Sequence, residues 1–195
     1  MKNTLKKSLL ASAAILLSVS VSQNVEAQTV TVGATAVVSN DLTLTVNAPL
    51  NFGSFIAIGG TTPGTDDAII SIATDGTLTA STIGGNGVNA AIIDDTAATA
   101  AEIEIADGAP GATINVEIDN VTNPTDGTDT LVLDDFITSL DGGGNNPRTL
   151  ATPFSISYGN PGPSTMLFGA SLTTQVAGAL NDGNYVGSFD VTYSY

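Results

Sequence analysis

The chain ends in an alternation. From Gly183 to Tyr195, the residues Tyr185, Phe189, Val191, Tyr193 and Tyr195 share one parity, interrupted only by Gly187. Asn184, Val186, Ser188, Asp190, Thr192 and Ser194 occupy the other. Successive side chains of a β-strand point to opposite faces, so period two predicts a terminal strand with one apolar and one mostly polar face. Such a strand is read as an assembly element, with Tyr185, Phe189, Val191 and Tyr193 as candidate contact residues.

The rest of the chain repeats this pattern in shorter pieces. Val30, Val32, Ala34, Ala36 and Val38 alternate, as do Leu42, Leu44 and Val46, then Ile103 and Ile105, then Ile114, Val116 and Ile118. Turn-forming pairs such as Pro63-Gly64, Asp75-Gly76, Asp107-Gly108, Asn123-Pro124, Asp126-Gly127 and Asp141-Gly142 separate the runs. The sequence therefore predicts an all-β chain of about ten strands, at the spacing of a sandwich or a barrel. Asp95 to Glu102, rich in Ala, is the one stretch able to make a helical turn or two. Leu140 to Pro147 and Tyr158 to Ser164 are read as long hairpin loops rather than domain boundaries.

The N-terminus predicts export. Lys2, Lys6 and Lys7 precede an apolar run from Leu9 to Val21, too short to span a bilayer comfortably, and Val25-Glu26-Ala27 offers small residues at the cleavage positions. Residues 1–27 are thus expected to be a secretory signal peptide, leaving a single domain over residues 28–195 and no membrane span after its removal. The expected location is extracellular or at the cell surface.

Removing that peptide leaves 18 acidic residues against Arg148 alone, a net charge of −17. Phosphate backbones and anionic membranes would repel such a chain, so nucleic acid is excluded as a partner. The absence of Cys rules out a disulfide, and with no His and no Lys after residue 27 the usual nucleophile–base pairs and zinc sites cannot be built. Only carboxylate chemistry remains. Paired carboxylates hydrolyse glycosides in clefts that stack sugar rings on aromatics. Here there is no Trp, and seven of the ten aromatic residues lie from Phe154 onward at core-like spacings, so the reading is of a non-catalytic protein without a cofactor.

One acidic stretch bears on metal binding. Asp119 to Asp135 contains Asp126, Asp129 and Asp134, weak candidates for calcium oxygen ligands. Their spacing does not match an EF-hand loop, and Asp bonding its own backbone in turns accounts for them more simply. Asp66-Asp67 and Asp94-Asp95 read as solvated loop charges.

In order along the chain, four stretches resemble the bacterial surface-protein family known as domain of unknown function 4402. They are Leu50-Asn51-Phe52-Gly53; Ala101-Glu102-Ile103-Glu104-Ile105 with Gly108-Ala109-Pro110-Gly111-Ala112; Gly169-Ala170-Ser171-Leu172; and Gly183 to Phe189 with Tyr195. That family is similar to spore-coat-U-like and archaic chaperone–usher pilin domains. The resemblance implies an immunoglobulin-like, pilin-like antiparallel β-sandwich with a structural role at the cell surface and no catalytic residues to transfer. Two features depart from such pilins: the chain has no disulfide, and Ser194 stands where a penultimate Tyr is usual.

The expected function is that of a secreted structural subunit of a cell-surface or pilus-like assembly, polymerising by β-strand addition. Its partners would be further copies or related subunits, with a periplasmic chaperone as a further candidate. Thr29 to Val38, with Val30, Val32 and Val38 on one apolar face, is read either as the strand donated to a neighbour or as the first strand of its own sandwich. The alternatives are a monomeric extracellular binding module using the loops Gly59 to Asp67, Leu140 to Pro147 and Tyr158 to Ser164, and an outer-membrane β-barrel. Small side chains and missing aromatic girdles weigh against the barrel.

Overall fold

The computed structural model describes residues 41–85, 87–159, 162–175 and 177–195. The expected signal peptide and the stretch carrying Val30, Val32 and Val38 lie outside these residues. In chain order the strands are β1 (Thr43–Ala48), β2 (Ser54–Gly59), β3 (Asp67–Ile72), β4 (Leu78–Ile83), β5 (Asn89–Asp94), β6 (Ala101–Ala106) and β7 (Thr113–Thr125). There follow β8 (Leu131–Leu140), β9 (Asn146–Pro147), β10 (Phe154–Ser157), β11 (Ser164–Thr174), β12 (Gly178–Ala179) and β13 (Val186–Ser194). The described residues are all-β.

Turn chemistry closes the local hairpins as the sequence predicts. Between β3 and β4 the Asp75 carboxylate accepts the Thr77 N–H at 2.9 Å, and that bond holds the carboxyl below the usual aspartate range. Pairing at longer range builds three antiparallel sheets. In the largest, β11 is central: β6 and β3 follow one another along one of its edges, β8 takes the other, β1 lies outside β6, β4 outside β3 and β9 outside β8. The second sheet has the order β10-β7-β13 and the third β12-β2-β5. None closes on itself among the described residues, an arrangement that is sandwich-like.

One apolar core lies between the first two sheets. Ile103, Ile105, Phe136 and Phe168 come from the first, and Ile114, Val116, Ile118 and Ile156 from the second, all buried. Each strand contributes alternate residues, so the same parity that was legible in the sequence fills the space between the sheets.

Several expectations are corrected. No helical turn forms over Asp95 to Glu102: the Ala98 N–H bonds Asp95 C=O, Thr99 pairs with Asn51, and β6 starts at Ala101. Burial of Ala101, Ile103 and Ile105 on one sheet face outweighs the weak helix preference of a short Ala-rich stretch. Asp66 and Asp67 are not solvated; both are buried, because their carboxylates accept the backbone N–H groups of Gly85 and Gly64. Asn123-Pro124 is not a turn but lies inside β7, whose pairing with β13 shifts register there, and Asn123 Oδ1 accepts the Leu133 N–H instead. The stretch Leu140 to Pro147, by contrast, is a hairpin as expected, with Asn146 and Pro147 pairing Thr138 and Ile137.

Arg148, the one basic residue among those described, is also spent on structure. Its Nε donates to Thr138 Oγ1 at 2.7 Å, and its guanidinium lies 3.6 Å from the centre of the Phe154 ring.

Candidate functional site

The two sheet edges that matter are β1 and β13. Among the described residues each is paired on one side only, β1 with β6 and β13 with β7. Natural proteins protect open edges with charges, Pro or a covering loop. β1 has no charged residue in its six positions, and β13 has only Asp190 in its nine.

Between these edges runs an open groove of about 1090 Å³. Leu44 and Val46 of β1 form one wall, Phe189, Val191 and Tyr193 of β13 the other, and Phe55 and Ile56 of β2 close one flank. Its floor is the core itself, since Ile103, Leu133 and Leu172 line it and all three are buried members of the core cluster. The consequence is visible in one cross-strand pair. Val46 stands opposite Ile103, on the same sheet face, yet Ile103 is 9% exposed and Val46 69%. Five of the eight large apolar side chains that are exposed among the described residues line this one groove: Leu44, Val46, Ile56, Ile93 and Val186. Scattered exposed apolar residues need no explanation, but a contiguous patch marks a binding surface.

The C-terminal alternation shapes the second wall. Phe189, Val191 and Tyr193 point inward and are half-buried, while their neighbours in β13 are exposed. The Phe189 ring meets Phe136 edge-on and leans against Phe168. The Tyr193 hydroxyl donates to Met166 Sδ at 3.5 Å, and burial pushes its pKa up. Tyr195 shares their parity but is exposed at the chain end. Gly187 breaks the alternation for a steric reason: a Cβ there would lie 2.5 Å from the Thr122 carbonyl oxygen and 2.8 Å from Pro124.

The Leu50-Asn51-Phe52-Gly53 stretch anchors the groove from below. Asn51 and Thr99 exchange backbone hydrogen bonds of 2.9 Å, and the Gly53 N–H donates to Asn51 Oδ1. Gly53 has φ +63° against the backbone of Asp94, a place where any side chain would clash.

Asp126 and Asp129 share one turn, but Asp134 does not join them. Asp126 Oδ1 accepts the N–H groups of Thr128 and Asp129, which lowers its pKa, and Asp129 Oδ2 accepts the Asn181 N–H at 2.8 Å. Asn181 C=O in turn receives the Tyr185 hydroxyl at 3.0 Å. Asp126, Asp129 and Tyr185 thereby tie the β7–β8 turn to the loop that enters β13. Asp134 sits on β8 opposite Ser171 of β11, with Oδ1 buried and unpartnered. Among the described residues no three acidic side chains are grouped to hold a metal ion.

Tyr185, Phe189, Val191 and Tyr193, singled out from the sequence, all line the groove. Val30, Val32 and Val38 lie outside the described residues. Ile56 and Ile93 went unnoticed, although a signal existed: Phe55-Ile56 and Ile92-Ile93 are consecutive apolar pairs, and two such neighbours put an apolar side chain on each face of a strand.

These features define an all-β, sandwich-like protein whose core, among the described residues, opens along a groove between the edges of β1 and β13. The family described as Domain of unknown function (DUF4402) matches residues 42–195, and the chain belongs to that family. No curated protein and no solved structure gives a significant match to the chain.

Proposed function

We propose that the protein is a secreted, non-catalytic structural subunit of a bacterial cell-surface or pilus-like assembly, and that it polymerises by β-strand addition. The observation that carries this reading is the groove whose floor is the core itself. A soluble domain gains from covering such a surface, and an added strand supplies backbone hydrogen bonds together with alternate apolar side chains. The immunoglobulin-like, pilin-like form of the sandwich belongs to this proposal, supported by two open sheets packed over one core. So does export, supported by the basic and then apolar N-terminus. The lack of Cys, His and mature Lys supports a structural rather than a catalytic role.

Sizing the exported protein by gel filtration with light scattering, with and without residues 28–39, tests the reading. The full mature chain forms assemblies larger than one subunit, and the deletion leaves folded monomers. A full mature chain that stays monomeric at high concentration, with no polymer recovered from the cell surface, overturns it in favour of a monomeric binding module.

A further inference from the structure

We infer that the outer edge of β4 is a self-association surface, pairing with the same edge of a second copy of this chain, antiparallel and two-fold symmetric about Ala80. The groove takes no part in this contact. Among the described residues β4 closes one end of the largest sheet and pairs with β3 alone. Thr79 to Ile83 are all exposed, Ile83 at 53%. An edge of this kind is a template for a further strand, and proteins blunt it with a charge, a Pro or a bulge. β4 has none of these: it reads Leu-Thr-Ala-Ser-Thr-Ile, and its pairing with β3 runs without a register shift. The other long edge strands differ. β13 carries Asp190, β5 ends in Asp94, and the pairing of β1 is broken by a bulge before Ala48.

The backbone fixes which groups of β4 face outward. The Ala73 N–H donates to the Thr77 C=O at 2.9 Å, so these two form a hydrogen-bonded pair at the head of the β3–β4 hairpin. Such pairs alternate with non-hydrogen-bonded ones along an antiparallel ladder. Thr79, Ser81 and Ile83 therefore bond β3, while Leu78, Ala80 and Thr82 turn their N–H and C=O groups to the open edge. The far side of β3 agrees. Ala68 stands opposite Thr82, and its N–H points away from β4, donating to Thr174 Oγ1 of β11.

Symmetry then selects the register. A two-fold axis normal to the sheet keeps each face continuous, so residues of one parity must stand opposite the same parity. Pairing about Ala80 sets Ala80 against Ala80, Leu78 against Thr82 and Thr79 against Ser81 of the second copy, and each outward N–H and C=O of the strand gains a partner.

Charge permits this approach. The chain has a net charge of −15, and two such molecules repel. Yet Gly76 to Ile93 holds no charged residue, and in this register Gly85 of the second copy stands opposite Asp75. A strand of six residues buries little, so the dimer belongs to the weak class, below about 1,200 Å² of interface.

The test uses the full exported chain, which has no Cys, so that an introduced thiol reports its own neighbour. Directly opposite Cα atoms lie about 4.5–5.5 Å apart, within reach of a disulfide, and diagonal ones about 7–8 Å apart, beyond it. Under mild oxidation at high concentration, Ala80→Cys should give a disulfide-linked dimer on a denaturing gel at least tenfold faster than Ser81→Cys, whose two copies are diagonal. Thr79→Cys and Ser81→Cys chains should crosslink when mixed. Adding Ala80→Lys to both sets two ammonium groups face to face on the axis; it should cut that crosslink at least tenfold while the melting temperature, set at an exposed position, stays as it was. An Ala80→Cys chain that stays monomeric overturns the inference, whether another part of the same chain or a different protein then covers the edge. So does equal crosslinking of Ala80→Cys and Ser81→Cys, or a lysine variant that crosslinks as before. A disulfide survives denaturation and a lone Cys joins only two chains, so these results stand apart from the success or failure of strand addition in the groove.

Discussion

Leu44 stands opposite Ile105 in the β1–β6 pairing, both side chains on the same face of the sheet, yet Ile105 is fully buried and Leu44 is 43% exposed. Position in the ladder is shared; cover from the facing sheet is not. Ile105 is packed into the core cluster, whereas Leu44 lines the groove. Ile105→Ala should therefore cost about 2–5 kcal/mol, whereas Leu44→Ala in the isolated subunit should cost about 0.5 kcal/mol or less. Urea denaturation of the two variants measures the difference. Equal losses would mean that Leu44 is covered after all.

Phe189 supports the other wall. Its ring centroid lies 5.0 Å from that of Phe136 and 6.2 Å from that of Phe168. Phe189→Ala should cost about 3 kcal/mol, the low end for a buried Phe because one side of the ring faces the groove. Val191→Asp sets a carboxylate beside the same core, a cost of several kcal/mol against a total stability of about 5–15, and should prevent folding. Melting curves followed by circular dichroism decide both; an unchanged curve for Val191→Asp would show that β13 does not carry the core.

Much of this was legible in the sequence, and the limits are physical. The alternations at Leu42 to Val46, Ile103 to Ile105, Ile114 to Ile118 and Phe189 to Tyr193 become β1, β6, β7 and β13, with the expected parity buried in β6 and β7, half-buried in β13 and exposed at Leu44 and Val46 of β1. Parity says which side chains share a face; it does not say whether another sheet covers that face. For that reason Phe189, Val191 and Tyr193 could be singled out, but not the groove they line, nor Val46 as an exposed residue. The arrangement around β11, with β6 and β3 end to end on one edge, depends on partners about a hundred residues away and leaves no local mark. Asp66 and Asp67 misled for a related reason: a carboxylate can be buried without a cation when backbone N–H groups point at it, and those donors come from Gly64 and the distant Gly85.

Gly187 lets β13 approach β7 where Pro124 removes a ladder donor. A methyl group there would overlap the Thr122 carbonyl oxygen, which is backbone and cannot swing aside. Gly187→Ala should cost about 1–3 kcal/mol through this overpacking, more than the few tenths expected at an exposed strand residue. Thermal melting of the variant checks it, and a neutral result would place the two strands farther apart at this point.

Asp134 and Asp126 should move stability in opposite directions as pH changes. Burial, and then the neighbouring Asp135 charge, push the Asp134 carboxyl above the ordinary aspartate value of 3.8, with a hydrogen bond from Thr173 opposing. The folded chain thus holds this proton more tightly than the unfolded chain. Its contribution is fully present below pH 3.8 and is lost as pH rises through the raised value. Asp126 is the reverse case: the N–H groups of Asp129 and Thr128 lower its carboxyl, so its contribution is present above 3.8 and is lost as pH falls through the lowered value. Asp134→Asn should accordingly raise the melting temperature at neutral pH, an advantage that disappears by about pH 3, and Asp126→Asn should lower it at neutral pH with the penalty fading in acid. Melting curves from acid to neutral pH separate the two. If Asp134→Asn instead lowered the melting temperature at neutral pH, hydrogen bonding to the charged carboxylate, as from Thr173, would outweigh its burial and the repulsion from Asp135.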